Sequence, residues 1–517
     1  MKKVSRKLTR VLAMILVLAF ALSAMASAAW VEISNTLTAT VTVTPKAEEV
    51  AEVNGEKFTD FYKALEAAKT QNQTLKLLTN IELVGPTEDN EAYGRIEVTE
   101  GVTLEIDLNG HSISRSITPI CVNGGKLEVT GEGTITETED NGYSAIMIYG
   151  STENTEEDYS YVKINEGVTL KGWAGIFINK NTQKTAYGVT VDFNGTIDVV
   201  NPDHAAGNAF YINGTIQHSE NAPVITIGPN AVIKAKPTDE GTAIYAAGYT
   251  EMTINGGTFE GDNAMEAKAG KITINGGTFI AQGEKTEGSN NNGTSTQGYA
   301  LAVVDNKNYG PSLNVTVNGG TFNGPVGIVE DNPRGNATLT INSGTFKNDV
   351  TDYVSHGNVV IGAVNDDGEY DNYKVVELTQ DAIKLSWVVE EEGESLGEDG
   401  TLTLDAVKGE TKNISVKAEL NPDFSTEGTI TQIKNVLFVM TEDPDSKGAD
   451  SSNFTAIGNS NGTQYELGYV SNENEKYWYW GPATGFTFKD TATTTFTFTF
   501  NEEGKYIFNI RAVQLEY

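Results

Sequence analysis

The sequence predicts an all-β protein in which a parallel β-solenoid fills the middle of the chain and an antiparallel β-sandwich follows it. Three observations predict this. A unit reading Thr-Ile-Asn-Gly-Gly-Thr-Phe recurs in the middle of the chain, and strands of period-two alternation replace it after about residue 374. Glycine is frequent, at 53 of 517 residues, whereas proline numbers only 13. Recurring short strands are typical of solenoids, and period-two alternation is typical of half-buried strands.

Residues 1–28 are predicted to be a secretory signal peptide. Residues 1–10 are basic, residues 11–22 are apolar, and small residues offer cleavage after Ala26 or Ala28. An apolar run of this length is short for a bilayer span, although an N-terminal anchor helix remains the alternative. Cys121 is the only cysteine, so no intramolecular disulfide can form. We expect a bacterial protein that is secreted, extracellular or attached to the cell envelope, without membrane insertion after cleavage.

The net charge of the protein limits the kinds of partner that we expect it to bind. The net charge is -34, with 70 acidic against 36 basic residues. Such a surface repels phosphate backbones and anionic lipid, so we expect no nucleic-acid partner.

Residues 29–94 are predicted to form a spacer and an N-terminal cap. Asn54-Gly55 is a hairpin turn signal between two short strands. Thr59 or Asp60 is placed to cap a short helix, whose apolar face would hold Phe61, Ala64, Leu65 and Ala68. A helix at this position would cover the exposed edge of the following sheet.

Residues 95–373 are predicted to be the solenoid. The recurring unit occupies residues 253–259, 273–279, 316–322 and 340–346, and looser copies occupy 191–197 and 211–216. Its asparagines are separated by one or two steps of about 21 residues. At about 22 residues per coil, the region would hold about twelve coils and form a rod of about 55–60 Å.

When coils stack, each recurring residue of the unit meets its copies, and this predicts its structural role. Asn255, Asn275, Asn318 and Asn342 are expected to form an amide ladder, with asparagine tolerating left-handed backbone angles. The first glycines, Gly256, Gly276 and Gly319, are expected to have positive φ. Phe259, Phe279, Phe322 and Phe346 are expected to stack inside the solenoid.

The repeats, together with residues 102–113 that read as an opening coil, resemble the right-handed parallel β-helix (pectate-lyase-like) repeats of bacterial surface and secreted proteins. The resemblance covers roughly residues 50–362. It implies a right-handed parallel β-helix, but lyases, hydrolases and non-catalytic adhesins share that shape.

Three irregular inserts interrupt the coils, at residues 151–161, 201–208 and 283–298. Inserts in a solenoid emerge on one face and often form its binding side. The third insert is rich in Gly, Ser, Asn and Thr, and we expect a flexible loop there.

A polysaccharide-cleaving enzyme of this shape would need clustered carboxylates. The candidate groups are scattered along the sequence: Asp192, Asp198, Asp203 with His204, Asp305, and Glu330 with Asp331. Arginine in the coils is confined to Arg95, Arg115 and Arg334, and the four histidines, His111, His204, His218 and His356, lack metal-ligand spacing and are expected to be exposed. No catalytic residue is assigned.

Residues 374–517 are predicted to form the β-sandwich, with residues 501–505 as a hairpin loop. Residues 504–512 resemble the last strand of bacterial immunoglobulin-like modules.

Two features of this region are candidate binding sites. Asp443, Asp445 and Asp450 imitate the start of a calcium loop, although no Glu closes it at Phe454, so Ca²⁺ is a possible cofactor and a solvated acidic turn is the alternative. Tyr477, Trp478, Tyr479 and Trp480 place two aromatic side chains on each face of a strand. One face is expected to be core, and the other is a candidate platform for sugar rings.

These observations favour a secreted or cell-surface, non-catalytic adhesin or structural rod that binds glycan or another host or cell-surface component. A polysaccharide lyase or glycoside hydrolase is the first alternative. A purely architectural envelope component is the second.

Overall fold

The structure, a computed structural model, describes residues 48–517 apart from 86–89, 91, 140–141, 151–158, 180–187, 200–206, 217–221, 237–239, 289–292, 366, 368, 389–393, 397–401, 406, 443–453, 461–462, 467, 472–475, 481–484 and 517. The predicted signal peptide therefore lies outside the described residues. No helix within them is long and apolar enough to cross a bilayer.

The predicted cap is present. Strands Ala51–Val53 and Glu56–Phe58 form a hairpin whose turn, Asn54-Gly55, has positive φ at both residues. The helix Phe61–Gln71 follows, and Asp60 caps it by accepting hydrogen bonds from the backbone N–H groups of Tyr62 and Lys63. Its buried residues are the four predicted ones, Phe61, Ala64, Leu65 and Ala68. They join the solenoid core, so the helix closes the N-terminal end of the apolar interior.

Three long sheets form a parallel β-helix in which each coil contributes one strand to each sheet. Sheet 1 begins with the antiparallel cap strands and contains, in order, Glu56–Phe58, Ala51–Val53, Leu75–Leu77, Thr103–Asp107, Lys126–Thr130, Ser160–Ile164, Val189–Phe193, Val224–Ile227, Glu251–Ile254, Gly270–Ile274, Leu313–Val317 and Ala337–Ile341. Sheet 2 contains Ile81–Glu82, His111–Arg115, Gly133–Glu137, Val168–Lys171, Thr196–Val199, Val232–Ala235, Thr258–Gly261, Thr278–Ala281, Thr321–Asn323 and Gly344–Phe346. Sheet 3 contains Ile96–Thr99, Ile120–Asn123, Ser144–Tyr149, Ala174–Asn179, Phe210–Ile212, Thr242–Ala246, Asn263–Ala267, Leu301–Asp305 and Val326–Glu330.

The described strands make about ten coils rather than the expected twelve. The eight steps in sheet 1 from Thr103 to Ala337 average about 29 residues, because inserts lengthen several coils beyond the short unit that predicted the count. At about 4.8 Å per coil, the β-helix is about 50 Å long.

The predicted amide ladder and phenylalanine column are both confirmed. The Nδ2 groups of Asn275, Asn318 and Asn342 donate to the Oδ1 atoms of the preceding ladder asparagines at 3.0, 2.9 and 2.8 Å. The rings of Phe259, Phe279, Phe322 and Phe346 follow one another with centroid distances of 4.6, 4.7 and 5.0 Å. All four rings are buried.

The prediction of positive φ at the first glycine holds for Gly256 (159°) and is wrong for Gly276 and Gly319. The second glycine has positive φ in these copies, with Gly257 at 106°, Gly277 at 113° and Gly320 at 115°. A Cβ on Gly257 would lie 2.7 Å from the carbonyl oxygen of Ala231 in the coil below, so the second position needs glycine for space as well. The fourth copy agrees, because Ser343 replaces the first glycine and Gly344 (136°) keeps the second. The ladder asparagines do not have left-handed angles either.

The C-terminal region consists of two antiparallel sheets around a shared core, which includes Val416, Phe438 and Phe496. One sheet contains Ile383–Val388, Thr411–Leu420, Thr491–Phe500, Phe454–Ser460 and Thr463–Glu466. The other is built on the long strand Thr429–Glu442, which pairs with Asn358–Val364, Lys476–Trp480, Phe486–Phe488 and Phe508–Gln514, and Gly468–Ser471 extends it. The described elements also include a short hairpin, Glu394–Leu396 with Leu402–Leu404, and a 3₁₀ turn, Thr351–Tyr353.

Two connections differ from expectation. Residues 501–505 do not close a hairpin, because Thr491–Phe500 and Phe508–Gln514 belong to different sheets and the chain crosses between them. Sheet 2 also continues past the last coil, since Tyr370–Glu377 pairs antiparallel with both Gly344–Phe346 and Asn358–Val364.

Candidate functional site

The outer face of sheet 3 carries a continuous column of side chains that the short repeat does not explain. The parallel register aligns Cys121, Met147, Phe177, Tyr211, Tyr245, Glu266 and Ala302 from coil to coil, and we call these residues the outer column. Side chains alternate along a strand, and the neighbours Ile178, Ile212 and Ala246 belong to the buried interior. The outer column therefore points away from the core.

Aromatic rings occupy the middle of the outer column. Phe177 and Tyr211 stack with centroids 4.5 Å apart and an interplanar angle of 16°, and Tyr245 follows at 5.3 Å. Trp173, just before the strand of Phe177, packs edge-on against Phe177 at 6.3 Å and Tyr211 at 5.7 Å. Trp173, Phe177 and Tyr211 are half-buried, whereas Tyr245 is covered. The accessible part of the aromatic group thus extends over two coils.

Polar groups of these rings lack partners. Among the described residues, the indole Nε1–H of Trp173 has no hydrogen-bond acceptor, and the hydroxyl of Tyr211 has no partner. Burial raises the pKa of the Tyr211 phenol, so this hydroxyl stays neutral. Two residues beyond Phe177 and Tyr211, the Nδ2 of Asn213 donates to the Oδ1 of Asn179 at 2.7 Å, and the Oδ1 of Asn213 accepts from the Thr215 backbone N–H and hydroxyl. The site therefore combines ring surfaces with neutral hydrogen-bonding groups.

A hairpin covers the column beyond Tyr211. We call residues 283–288 and 293–298 the flap; its strands Thr286–Glu287 and Thr296–Gln297 pair antiparallel. The Tyr245 hydroxyl donates to the Gly293 carbonyl at 2.5 Å, and Thr294, Ser295 and Thr296 are at most 3% exposed. The third insert was expected to be a flexible loop; its residues 294–296 instead pack onto the sheet, whereas residues 284–288 are exposed.

A buried ion pair fastens the flap. Glu266 accepts hydrogen bonds from the Ser295 backbone N–H at 2.9 Å and the Thr296 hydroxyl at 2.5 Å. The Lys268 Nζ lies 3.2 Å from the Glu266 Oε1 and donates to the Gly293 carbonyl at 2.8 Å. Both charged side chains are at most 1% exposed. Burial raises the pKa of the Glu266 carboxyl, and the Lys268 charge with the Thr296 and Ser295 hydrogen bonds opposes that rise.

Three of the acidic residues that looked scattered in the sequence meet at this end of sheet 3. Asp305 pairs in register with Glu330, and Asp331 accepts from the Ser295 hydroxyl at 2.6 Å. Asp305 is held by Arg334 at 3.0 Å. Burial acts to raise the pKa of Asp305, but hydrogen bonds from Arg334 and the Gly335 N–H outweigh it and hold the pKa below its ordinary value. Asp305 and Asp331 are thus already engaged by protein donors.

The opposite end of the outer column is also closed. Cys121 is 2% exposed, and burial is the main cause that raises the pKa of its thiol to about 12. Arg95 lies beside it and contacts Glu97 at 2.6 Å. Arg115, the third expected cationic candidate, is buried and donates to the carbonyls of Tyr93 and Thr118. None of these three arginines presents a free guanidinium on the described surface.

The other predicted carboxylates do not gather. Asp192 lies on sheet 1 and accepts from the Tyr161 hydroxyl at 2.8 Å, whereas Asp198 lies on sheet 2. Asp203, His204 and His218 lie outside the described residues. His356 is exposed as expected, but His111 is half-buried. Within the described part of the chain, no group of His, Cys, Asp and Glu side chains has the arrangement of a metal site.

The predicted aromatic strand is present as Lys476–Trp480. Trp478 is 5% exposed and belongs to the C-terminal core, which makes its face the core face. Tyr477 and Tyr479 on the other face are half-buried, and a Cβ on Gly468 would lie 2.4 Å from the Tyr479 ring, so this ring lies across the neighbouring strand. The side chain of Trp480 and the predicted calcium residues Asp443, Asp445 and Asp450 lie outside the described residues.

Sequence reasoning missed the outer column, although one signal was available. Phe177, Tyr211 and Tyr245 are separated by 34 residues each. The Thr-Ile-Asn-Gly-Gly-Thr-Phe unit steps by other intervals, so aromatic residues had to be tested for a period of their own. Glu266 was visible as an acid within the apolar strand Asn263–Ala267.

Comparison with known proteins adds little. No family model matches the chain, and no curated protein matches it significantly. Among solved structures, the chain is similar to the enzymatically active domain of tailspike protein 4 of bacteriophage CBA120, with 8% identity and a TM-score of 0.26. The match covers 80% of this chain and 64% of that one. A likeness this weak carries no argument, and the β-helix stands on its own strand pairing.

Proposed function

We propose that this protein is a secreted or cell-surface bacterial β-helix protein that binds a glycan without cleaving it. The observation that carries the proposal is the half-buried aromatic group of Trp173, Phe177 and Tyr211 on the outside of sheet 3. Rings that are amphipathic and only partly covered are typical of binding surfaces. Their unpartnered N–H and hydroxyl groups suit the hydroxyls of a sugar.

The state of the carboxylates favours binding over cleavage. A glycosidase needs one carboxyl to transfer a proton and a second to act as nucleophile or base, both within reach of substrate. Glu266 is fully buried beneath the flap, and Asp305 is 5% exposed and paired with Arg334. Glu330 is exposed beside Asp305, so the lyase or hydrolase alternative would have to combine Glu330 with one of these covered carboxyls.

The test is affinity electrophoresis of the full-length protein through native gels that contain plant, microbial or mucin glycans, with and without Ca²⁺. Retardation in one gel supports the proposal. Shortening of that glycan during the run would replace it with the enzyme alternative. Unretarded migration in every gel would overturn it and favour an architectural or protein-binding role.

Two arms of the same test address the sites predicted in the C-terminal region. The face of Tyr477 and Tyr479 is proposed as a second location for sugar rings, and Tyr479→Ala would abolish retardation if that face were the main site. A weak calcium site at Asp443, Asp445 and Asp450 predicts that Ca²⁺ changes migration and that Asp445→Asn removes the change. The immunoglobulin-like character of the last strand stays a prediction.

A further inference from the structure

The flap is an insertion that its coil does not need in order to close. Gly261 and Glu266 lie five positions apart in one coil, whereas their aligned partners in the next coil, Ala281 and Ala302, lie 21 positions apart. The longer coil therefore holds 16 extra residues. Because the strands on both sides of these residues keep their register, the flap is an addition to the β-helix rather than a part of its repeat.

The flap is held on the sheet by polar contacts. Residues 282–297 contain no apolar side chain, since they are all Gly, Glu, Lys, Thr, Ser, Asn or Gln. The hydrophobic effect therefore contributes little to the position of the flap. Hydrogen bonds hold it instead, through the Gly293 carbonyl, the Ser295 backbone N–H and the Thr296 hydroxyl. A ligand that offers similar groups could replace such contacts.

Five charged or aromatic side chains meet around this part of the flap, and we call them the covered cluster: Tyr245, Glu266, Lys268, Tyr309 and Asp331. Glu266 and Lys268 lie two residues apart on the outer face of sheet 3, and both side chains are at most 1% exposed. The Lys268 Nζ lies 4.6 Å from the ring centroid of Tyr309 and 5.4 Å from that of Tyr245. The covered cluster therefore combines two carboxylates and an ammonium group with two aromatic rings.

The flap binds the covered cluster through hydroxyl groups. The Thr296 hydroxyl donates to Glu266 at 2.5 Å. The Ser295 hydroxyl donates to Asp331 at 2.6 Å and accepts from the Lys268 Nζ at 3.0 Å. Neighbouring hydroxyls that donate to carboxylates and accept from an ammonium group are also what a sugar offers. Tyrosine rings beside them supply apolar surface for the face of a sugar ring.

The covered cluster continues the aromatic group of the proposed site. Tyr211 and Tyr245 are aligned on neighbouring coils, and their ring centroids are 5.3 Å apart. Tyr245 is 2% exposed, and its hydroxyl donates to the Gly293 carbonyl at 2.5 Å. A glycan that extended from Tyr211 along the outer column toward the next coil would therefore meet the flap.

We propose that the covered cluster is a second sugar subsite, which Ser295 and Thr296 of the flap occupy until a glycan displaces them. This inference rests on the proposed glycan-binding function. The flap competes with the ligand, so the apparent affinity is reduced in proportion to the fraction of molecules in which the flap is displaced. Removal of the flap should therefore strengthen binding, and a change in the covered cluster should cancel that gain.

The first test deletes residues 282–297, which joins Ala281 to Gly298 and gives this coil the length of the preceding one. Wild type and the deletion variant are compared by affinity electrophoresis through native gels that contain plant, microbial or mucin glycans. We expect the variant to have at least about tenfold higher affinity for a glycan that retards wild type. Retardation of the variant alone would also support the inference.

Two further substitutions in the deletion variant locate the gain. Glu266→Ala should remove most of it, because the carboxylate that received the Thr296 hydroxyl is lost. Glu251→Ala removes an exposed glutamate of sheet 1 and should leave the affinity within about twofold.

The second test uses wild type and does not depend on the folding of the deletion variant. A glycan that retards wild type should accelerate hydrogen exchange at the Ser295 backbone N–H at least about tenfold, because displacement of the flap breaks its bond to Glu266. The backbone N–H of Ile272, in the sheet 1 strand Gly270–Ile274, is the control and should exchange at an unchanged rate.

Several results would overturn the inference. Equal or weaker retardation of the folded deletion variant, or unchanged exchange at Ser295 with a retarding glycan, would leave binding at Trp173 in place but contradict the second subsite. A gain that survives Glu266→Ala would contradict the role of the covered cluster. Shortening of the glycan by the deletion variant would indicate cleavage instead of binding. Free migration of both proteins in every gel would contradict glycan binding itself, and the inference with it.

Discussion

The phenylalanine column inside the β-helix and the outer column of sheet 3 differ in what surrounds their rings rather than in how the rings are spaced. Inside, Phe279 and Phe322 stack at 4.7 Å; outside, Phe177 and Tyr211 stack at 4.5 Å. The coil repeat imposes that spacing on both. The inner rings are buried, whereas Phe177 and Tyr211 are half-buried, and the Tyr211 hydroxyl has no hydrogen-bond partner among the described residues. The comparison indicates that repetition explains stacking, and that exposure with polarity marks a candidate site.

The largest effect is expected in the inner column. Phe279→Ala should lower the free energy of unfolding by about 3–5 kcal/mol, because it removes a fully buried ring and leaves a cavity between two others. Urea unfolding followed by circular dichroism measures this. Phe279→Leu is the control and should cost less than about 1.5 kcal/mol. If the folded Phe279→Leu variant lost glycan retardation, this would contradict the view that the inner column is structural and the outer column binds.

The covered end of the outer column should respond almost as strongly. Lys268→Met leaves Glu266 buried without its counter-charge, so we expect a loss of about 3–5 kcal/mol. Hydrogen exchange at Ser295 and Thr296 should accelerate, because these residues hold the flap on Glu266.

Two variants control that experiment. Lys271→Met removes an exposed lysine in the next strand segment and should change stability by less than about 0.5 kcal/mol. Adding Glu266→Gln to Lys268→Met should restore part of the loss. Unchanged exchange in the single variant would mean that the ion pair does not fasten the flap.

A smaller, pH-dependent effect is expected at Asp262, which lies at the root of the flap. Burial is the main cause that raises the pKa of its carboxyl to about 6 from 3.8, and Glu240 adds to the rise. Because the folded-state pKa is raised, the folded protein favours the protonated form, and stability falls as pH rises from about 4 through 6. Asp262→Asn should stabilise the protein by about 1–2 kcal/mol at pH 7 and leave it unchanged at pH 4.

The measurement is urea unfolding across this pH range. Asp381→Asn replaces an exposed aspartate in the C-terminal region and is the control, which should change stability by less than about 0.5 kcal/mol. Equal stabilisation by Asp262→Asn at both pH values would rule out titration as the cause.

The smallest effect concerns the other closed end of the outer column. The native Cys121 thiol should not react with a thiol reagent at pH 8, because it is buried and its pKa is about 12. The same reagent should modify one thiol per chain in urea. Stoichiometric modification of the native protein would show that this end of the column is open.

The sequence predicted the parts of the fold that repetition or local chemistry determines. Asn255 and Phe259 recur with their unit, and Asp60 carries a local cap signal, so ladder, column and helix were all predictable. The outer column could not be predicted, because inserts of different lengths separate its residues in the sequence. The sequence therefore does not show which strands pair. The coil count and the crossing at residues 501–505 failed for a related reason: strand pairing at long separation leaves no local signal.

Candidate sites taken from local patterns fared differently. The run of Tyr477–Trp480 attracted attention by composition, yet Trp478 is in the core. Trp173 attracted none, since a single tryptophan after Gly172 has no pattern, and only the three-dimensional register brings it against Phe177 and Tyr211.

The most direct test of the central claim compares the affinities of wild type, Trp173→Ala and Tyr370→Ala for glycans in gel electrophoresis. Tyr370 is a matched exposed aromatic residue, 42% accessible, on the hairpin beyond the last coil. We predict that wild type and Tyr370→Ala are retarded equally, and that Trp173→Ala loses at least about tenfold in affinity with its unfolding curve little changed. If all three proteins were retarded equally, or if none were retarded, the assignment of the outer face of sheet 3 as the binding surface would be contradicted.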